Sequence, residues 1–241
     1  LILIGAVFVY RSISRQLKIQ QQQQNFMMAI THELKTPISV ARLNLETLQK
    51  YNLDEEKKQK IIRTTLDETS RLDFLTNNIL VAAQLENSNF KAEKEELDLT
   101  ALLKDCIRQF NNRFPERIFV EDIEYDTDIK GDSLLLQMLI NNLLENATKY
   151  SPRESPISTI LKRTKVGIEL QIKDQGIGIE ETEKAKIFNK FYRIGSEATR
   201  KTKGTGLGLY LCRKIARDHN GDITMTKNEP QGSIFAVTFK S

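Results

Sequence analysis

The chain has 241 residues, of which 39% are hydrophobic and 28% are charged. This composition suits one or two globular units and is too charged for a polytopic membrane protein. The net charge of +4 is mild, and without a basic stripe interleaved with aromatic residues we expect no nucleic-acid binding. The two cysteines, Cys106 and Cys212, lie far apart in helical patterns. We interpret them as small apolar side chains in a reduced interior.

The first ten residues, LILIGAVFVY, are almost wholly apolar. A membrane-spanning helix needs roughly 20 such residues, so this run is too short to span a bilayer by itself. Basic residues at Arg11, Arg15 and Lys18 follow it, which favours the C-terminal part of a transmembrane helix over residues 1–10. A buried strand or helix start is the alternative. Residues 11–24 are rich in Gln and contain no Pro or Gly, which predicts a continuous helical linker.

Residues 25–88 carry the pattern of a helical hairpin. Apolar residues recur at spacings of three and four in two stretches, which a polar break at Tyr51–Asp54 separates. The first series is Met27, Ile30, Leu34, Ile38, Ala41, Leu45 and Leu48; the second is Ile62, Leu66, Thr69, Leu72, Leu75, Ile79, Ala82 and Leu85. One hairpin of this length cannot cover its own apolar seam, so we expect a dimer that forms a four-helix bundle.

A histidine lies on the opposite side of the first helix from this seam. His32 is two residues from both Ile30 and Leu34, about 200° round the helix, so its imidazole should face solvent. Thr36 follows one turn later and shares its face, and Glu33 is three residues before Thr36. Pro37 removes a backbone donor, which predicts a bend. Taken alone, a lone exposed histidine is more often a solvated side chain than a catalytic one.

Residues 89–241 mix helices and strands without a regular βαβ repeat. A polar linker at Asn87–Glu96 comes first, and the pattern then indicates a mixed sheet with helices on one face, an α+β two-layer sandwich. We expect helices at Leu99–Phe110, at Leu134–Tyr150 after an N-cap at Gly131–Asp132, and at Gly204–His219 before a C-cap at Asn220–Gly221. We expect strands at Arg117–Glu124, Ile157–Leu161, Val166–Lys173, Asp222–Thr226 and Ser233–Phe239.

The second of these helices, Leu134–Tyr150, carries a polar stripe. Asn142 and Asn146 are one turn apart and Lys149 follows three residues later, so the three side chains share a face. Neutral amide oxygens suit Mg²⁺, which keeps waters and phosphate oxygens as its other ligands. Lys149 offers a positive charge for a phosphate. A solvated polar face is the alternative for these residues alone.

Two glycine-rich segments suggest a nucleotide. Asp174 has the parity of the buried residues of the strand before it, and a buried carboxylate needs a donor, for which the exocyclic amine of adenine is suitable. Gly176 and Gly178 allow a close approach of the backbone, although a simple Asp-capped turn fits equally well. The segment Gly204–Leu209 reads GTGLGL and opens a helix, where backbone N–H groups bind phosphate. A polar, lid-like stretch and not a strand precedes it, so it is not a Rossmann fingerprint.

Five motifs in this order resemble those of bacterial sensor histidine kinases, with a HisKA dimerisation domain and an ATP-binding domain of the gyrase-like ATPase superfamily. The resemblance runs from Gln24 to the end of the chain. The motifs are an H-box at 31–37, an N-box at 142–151, a first glycine box at 174–179, an F-box at 187–193 and a second glycine box at 204–209.

The resemblance implies a role for each motif. His32 is the phosphoacceptor that attacks the γ-phosphate of ATP, and Glu33 binds its other ring nitrogen and acts as a base. Asn146 holds Mg²⁺ with Asn142 beside it, and the positive charges of Lys149 and Arg193 assist catalysis. Thr36, paired with Glu33, orients a water against the phosphorylated partner. The nucleotide is further bound by Tyr150, Asp174, Gly176, Gly178, Ile179, Phe188, Gly204, Thr205, Gly206, Leu207 and Gly208.

The resemblance also implies a cellular context. We expect a homodimer in the bacterial inner membrane, with its catalytic part in the cytoplasm, that passes the phosphoryl group to a separate response regulator. His219-Asn220-Gly221 stands where relatives have His-Gly-Gly, and Asn also tolerates the left-handed cap. Two alternatives stay open. A gyrase-type ATPase clamp would use Glu145 as its base, and a scaffold would have no activity.

Overall fold

The N-terminal part of the protein is a long helical hairpin. The computed structural model describes residues 2–87, 90, 92–195 and 204–240. Helix α1 spans Ile2–Lys50 and α2 spans Glu55–Gln84, which confirms the predicted break between them. Asp54 caps α2, because its side chain accepts a hydrogen bond from the backbone N–H of Lys57 at 2.9 Å. The helix continues across Pro37 without interruption.

Residues 2–10 of the predicted transmembrane segment form the start of α1, and residue 1 lies outside the described residues. None of the helices in the described ranges contains a stretch long and apolar enough to cross a membrane. The side chains of Leu3, Ile4 and Phe8 are each at least 73% exposed. The structure therefore gives these apolar groups no protein partner among the described residues.

The second part of the chain is a sheet covered by helices. Its helices are α3 at Leu99–Arg113, α4 at Ser133–Tyr150 and α5 at Gly208–Asp218. Its strands are β1 at Glu95–Asp98, β2 at Phe119–Ile123, β3 at Asp128–Gly131, β4 at Ile157–Thr164, β5 at Gly167–Lys173, β6 at Gly221–Lys227 and β7 at Ser233–Lys240. Five strands form one sheet in the order β2-β4-β5-β7-β6, where only β2 and β4 run parallel.

The core lies between this sheet and the helices. Alternate residues of the strands are buried against buried apolar side chains of the three helices, as expected for a sheet with one covered face. Buried strand residues include Ile157, Leu161, Leu170, Ile172, Ile223, Phe235, Val237 and Phe239, and the helices contribute Leu103, Ile107, Leu136, Leu139, Ile140, Leu143, Leu211 and Ile215. The predicted α+β sandwich is therefore the observed layer arrangement.

Two details differ from the expectation. A small antiparallel sheet of β1 and β3 was not predicted, and β1 begins within the last residues of the expected linker. Helix α5 begins at Gly208 and not at Gly204. The φ angles of Gly204 and Gly206 are +154° and +74°, which are not helical values and which L side chains rarely adopt. The predicted left-handed cap after α5 is confirmed, since Asn220 has a φ of +56°.

Candidate functional site

The histidine of the hairpin faces solvent as the helical pattern predicted. His32 is exposed, and no described residue forms a hydrogen bond with its ring. The hydroxyl of Thr36 donates to the backbone carbonyl of His32 at 3.1 Å, which places the threonine one turn after the histidine on the same side. The imidazole is therefore accessible to a group that approaches from outside the hairpin.

Glu33, unlike His32, does not lie at the surface. Its side chain is buried, and its Oε2 accepts a hydrogen bond from Arg71 of α2 at 2.8 Å. A buried carboxylate needs such a partner, and a charged donor is the strongest one available. The expected hydrogen bond between Glu33 and the His32 ring is absent from this arrangement, so a role as base would require the carboxylate to leave Arg71.

Helix α4 places the polar stripe of the N-box as the spacing predicted, but its members have different surroundings. Asn142 is buried, donates from Nδ2 to Oδ1 of Asn78 at 3.0 Å, and accepts at Oδ1 from Nδ2 of Asn78 at 3.3 Å. Asn146 is partly buried and has no hydrogen bond with any described residue. In this arrangement Asn146 is thus the asparagine whose amide oxygen is available.

The end of α4 contacts both glycine-rich segments. A Cβ built on Gly204 would lie 2.8 Å from Nζ of Lys149, so the lysine reaches the start of the second glycine box. A Cβ on Gly176 would lie 2.5 Å from the carbonyl oxygen of Tyr150, so only glycine permits this approach. Lys149 also lies 5.1 Å from the centre of the Tyr150 ring. These contacts unite the N-box with both glycine boxes.

Asp174 directly follows strand β5, and its carboxylate is buried. Its Oδ1 accepts hydrogen bonds from the backbone N–H groups of Gly176 at 2.7 Å and Ser233 at 3.3 Å. Burial raises the pKa of this carboxyl, and the two backbone hydrogen bonds oppose that rise. Oδ2 has no hydrogen-bond partner among the described residues, so it remains for a donor from a ligand.

The segments on either side of the expected lid, residues 194–203, are joined by a backbone hydrogen bond. The backbone N–H of Phe191 donates to the carbonyl of Gly206 at 3.1 Å, and a Cβ on Gly206 would lie 2.9 Å from the backbone of Phe191. Residues 196–203, which hold most of the expected lid, lie outside the described residues. Arg193 lies partly buried shortly before them.

Other predicted nucleotide-binding residues have varied positions. Phe188 and Leu207 are buried members of the hydrophobic core, and Ile179 packs partly buried against it. The hydroxyl of Thr205 accepts from the backbone N–H of Leu207 at 3.4 Å. Gly178 has a φ of +70° and lies close to Gly232. Phe188 and Leu207 therefore hold the two motifs against the core.

The alternative base, Glu145, also has a partner. Its carboxylate lies 3.1 Å from Nη1 of Arg113, with both side chains about one-third exposed. An exposed pair of this kind contributes little to stability. It does occupy the carboxylate that a gyrase-type reaction would need as its base.

Sequence reasoning missed several residues that support these motifs. Arg71 and Asn78 bind motif residues from α2, and Ser233 and Asn228 hold the side chain and the backbone carbonyl of Asp174. Arg117 is buried and donates to the backbone at the end of α4. Each of these contacts joins distant parts of the chain, so local spacing carried no signal for them.

The described residues could bind Mg²⁺ only together with phosphate and water ligands, and not by themselves. The described residues contain no group of three or more His, Cys, Asp or Glu side chains that could hold a metal ion. Mg²⁺ is usually bound by one or two protein oxygens together with substrate phosphates and water. The unpaired amide of Asn146, near Lys149, fits that type of site.

Comparison with known proteins decides the family. Residues 22–88 match the family model of the His Kinase A (phospho-acceptor) domain. Residues 131–241 match the model of the histidine kinase-, DNA gyrase B- and HSP90-like ATPases. The chain belongs to the two-component sensor histidine kinases. The first match contains His32, and the second contains the N-box and both glycine boxes.

Individual relatives agree with this family. The sensor protein kinase WalK of Staphylococcus aureus is 29% identical over 238 residues, which is 97% of this chain. The chain spans 57% of that relative and 39% of WalK from several S. aureus strains. The structure is similar to a mycobacterial sensor histidine kinase, MprB, with 26% identity and a TM-score of 0.54 over 61% of this chain and 97% of that one.

A further solved structure covers both parts of the chain. The histidine kinase AdeS of Acinetobacter baumannii matches 87% of this chain and 97% of its own, with a TM-score of 0.59. Its identity of 22% shows a shared fold alone. The hairpin followed by a sheet-and-helix domain is thus a fold that this chain shares with AdeS.

Proposed function

We propose that the chain is an ATP-dependent histidine autokinase that phosphorylates His32 and passes the phosphoryl group to an aspartate of a separate response regulator. The observation that supports this most strongly is an exposed histidine in a matched phospho-acceptor domain, on the same chain as a matched ATPase domain. The ATPase domain keeps Asn146, Asp174 and the glycines of both boxes.

The described residues suggest how ATP binds. The free Oδ2 of Asp174 accepts the exocyclic amine of adenine, beside the close approach of Gly176 and Tyr150. Lys149 extends towards Gly204, where its charge meets the phosphates. Asn146, which lies on the same face of α4, would hold Mg²⁺ through its amide oxygen. Bound Mg²⁺ neutralises charge on the phosphate oxygens.

In the transfer step a neutral ring nitrogen of His32 attacks the γ-phosphorus in line. A nitrogen–phosphorus bond forms, the bond from the γ-phosphorus to the bridging oxygen breaks, and ADP leaves with that electron pair. Positioning and charge stabilisation supply most of the catalysis of such transfers. Glu33 accepts the proton of the other ring nitrogen after leaving Arg71, and Arg193 stabilises charge on the phosphates.

The experiment is incubation of the chain with ATP labelled in its γ-phosphate. An acid-labile, base-stable label on the protein that disappears in His32→Gln supports the proposal. Release of phosphate without protein label would instead support the gyrase-type ATPase with Glu145 as base. A chain that binds no nucleotide would be a scaffold, and the proposal would be wrong.

We further propose that Thr36 supports dephosphorylation of the regulator. Its hydroxyl lies one turn from His32 and donates to the carbonyl of His32 at 3.1 Å, which leaves its oxygen lone pairs for a water. Thr36→Ala should keep autophosphorylation and slow the dephosphorylation of a phosphorylated receiver domain. An unchanged dephosphorylation rate in a variant that still autophosphorylates would exclude this role.

We propose a homodimer formed through the seam of the hairpin. Ile38 and Leu45 are 53% and 57% exposed, and with Ala41 and Leu72 they line an open apolar groove. A second copy would cover this surface in a four-helix bundle. Light scattering should give twice the monomer mass, and Leu45→Glu should reduce that mass towards the monomer.

We also propose that residues 1–10 belong to a membrane anchor at the bacterial inner membrane. The exposed side chains of Leu3, Ile4 and Phe8, followed by Arg11 and Arg15, support this assignment. Fractionation of cells that express the chain with and without residues 1–10 tests it. The anchor is excluded if both forms are recovered equally in the soluble fraction.

A further inference from the structure

Asn78 of the hairpin and Asn142 of the ATPase domain form a reciprocal amide pair. Each amide group donates to the other, with nitrogen-to-oxygen distances of 3.0 and 3.3 Å. The two residues are 64 positions apart in the chain and each is only 4% exposed. Such a pair satisfies two buried polar groups that would otherwise be costly to bury.

The pair uses the hydrogen-bonding capacity of Asn142. Its Nδ2 donates a second hydrogen bond to the carbonyl of Met138 at 2.9 Å, so both amide hydrogens have acceptors. Its Oδ1 receives Nδ2 of Asn78 and lies against the start of α5, where a Cβ on Gly208 would be 2.8 Å away. The oxygen is thus enclosed, with no space for a hydrated cation.

Asn146 provides the contrast within the same helix. It lies one turn after Asn142 on the same face of α4, yet it forms no hydrogen bond with the described residues. A Mg²⁺ ion requires ligand oxygens at about 2.0–2.1 Å in nearly octahedral geometry. Asn146 can supply such an oxygen as it stands, whereas Asn142 can do so only after it separates from Asn78.

Three other contacts hold the hairpin and the ATPase domain together around this pair. Glu86, which follows the end of α2, accepts hydrogen bonds from Lys190 at 2.6 Å and from the hydroxyl of Tyr210 at 3.2 Å. The rings of Phe26 and Phe191 have their centres 3.9 Å apart. Lys190 and Phe191 belong to the F-box and Tyr210 belongs to α5, so the hairpin contacts the segments before and after the expected lid. The amide pair is the buried polar contact of this interface.

We propose that Asn78 is a positioning residue that competes with the Mg²⁺–nucleotide complex for Asn142. The inference rests on the proposed function, in which Asn142 lies beside the metal-binding Asn146. While Asn78 holds Asn142, the ATPase domain stays attached to α2 and the amide oxygen of Asn142 is withheld from the metal. Because coupling between two sites is reciprocal, metal-bound nucleotide weakens the attachment by the same factor by which the attachment weakens its binding.

The competition specifically concerns the metal. In the proposed function Asp174 binds adenine and Lys149 binds a phosphate. Neither residue forms a hydrogen bond with Asn78. Removal of the Asn78 amide should therefore strengthen nucleotide binding in the presence of Mg²⁺ and leave binding in its absence unchanged. A loss of packing would instead weaken both.

The test compares binding of a non-hydrolysable ATP analogue with Mg²⁺ and with a chelator, by titration calorimetry on the full chain. The measured quantity is the gain in affinity that Mg²⁺ provides. In Asn78→Ala we expect this gain to exceed that of the unaltered chain by about fivefold. Asn78→Ser, which removes the amide but keeps a polar group, should behave in the same way. Thermal unfolding of each variant shows that it is folded.

Asn77→Ala is the matched control, because Asn77 is the neighbouring asparagine of α2 and is exposed. It should leave the gain unchanged. The inference is overturned if the gain in Asn78→Ala and Asn78→Ser equals that of the unaltered chain. The readout needs no phosphoryl transfer, so a chain that shows the expected gain but never labels His32 would contradict the proposed autokinase and leave this inference standing.

Discussion

Arg71 donates a hydrogen bond to Glu33 at 2.8 Å and thereby joins the two helices of the hairpin next to His32, the proposed phosphoacceptor. The carboxylate is 6% exposed and the guanidinium 29% exposed. A carboxylate buried to this degree requires a partner, because its desolvation is costly. The charge beside His32 is therefore held by α2 and not by the histidine.

The first prediction concerns this pair. Arg71→Met should lower the free energy of unfolding by about 1–3 kcal/mol, since it leaves the Glu33 carboxylate buried without its charged donor. Arg71→Lys should lose less because it retains the charge. Denaturant titration followed by helical circular dichroism measures the free energy of unfolding of both variants. Arg42→Met is the matched control, because Arg42 and Glu46 form an exposed arginine–glutamate pair with side chains 79% and 55% exposed. This substitution should leave the denaturant concentration at the unfolding midpoint unchanged.

The second prediction concerns Asp174. Asp174→Asn preserves the shape and the acceptor for Gly176 and Ser233 but replaces an oxygen with an NH₂ group, which cannot accept from adenine. We expect nucleotide affinity to fall by about tenfold to a hundredfold, measured by calorimetry. Asp128→Asn, at an exposed carboxylate of β3, should bind as the unaltered chain does.

The same residue should give nucleotide binding a dependence on pH. Burial raises the pKa of Asp174, so its carboxyl takes up a proton at a higher pH than an ordinary carboxyl does when the solution is acidified. The protonated group loses acceptor capacity, so affinity should fall as the pH decreases through this raised pKa. Equal acid dependence in Asp174→Asn would contradict this cause.

The third prediction concerns the support of α4. Arg117 donates from Nη1 to Ser151 Oγ at 3.1 Å and to the Pro152 carbonyl at 2.5 Å, and from Nη2 to the carbonyls of Ser151, at 3.0 Å, and Thr148. These groups lie in the last turn of α4 and just after it, where helix carbonyls lack intrahelical partners. Arg117→Met should lower the free energy of unfolding by about 3 kcal/mol, because it leaves the buried carbonyls of Thr148 and Ser151 without these donors.

Arg108→Met provides the comparison for Arg117. Arg108 pairs with Asp105 on the outside of α3, where the two side chains are 69% and 56% exposed. Its removal should change the free energy of unfolding by less than about 1 kcal/mol. A loss for Arg117→Met no greater than that for Arg108→Met would show that α4 does not depend on this arginine.

The sequence was sufficient where one local pattern determined the outcome. The apolar spacing predicted both hairpin helices, and Asp132 is the predicted N-cap of α4. The exposure of His32 followed from its angle to the apolar seam. Asp174 is buried as its parity in β5 predicted, because alternate residues of a strand face opposite sides.

The sequence was insufficient where contacts join distant segments. Glu33 and Asn142 have partners 38 and 64 residues away, so their environments depend on how α2 packs against α1 and against the ATPase domain. The β1–β3 sheet consists of two four-residue strands with too few alternating positions to form a pattern. The start of α5 was displaced because Gly204 and Gly206 adopt positive φ angles, which no motif specifies.

The last prediction concerns the stability of the ATPase domain in acid. His219 is buried, with Nδ1 at 2.8 Å from the carbonyl of Ile215 and Nε2 accepting the backbone N–H of Asp132 at 2.9 Å. This arrangement requires a neutral ring, because protonation would place an N–H opposite the N–H of Asp132. Burial lowers the pKa of His219 in the folded state. The unfolded chain therefore takes up the proton first on acidification, and the free energy of unfolding should fall as the pH drops below about 6.5 towards the lowered pKa.

Denaturant titrations between pH 8 and pH 5 measure how steeply the free energy of unfolding depends on pH. This dependence should be reduced in His219→Gln, because glutamine offers a donor and an acceptor without titrating. An identical slope in that variant would assign the acid sensitivity to other groups.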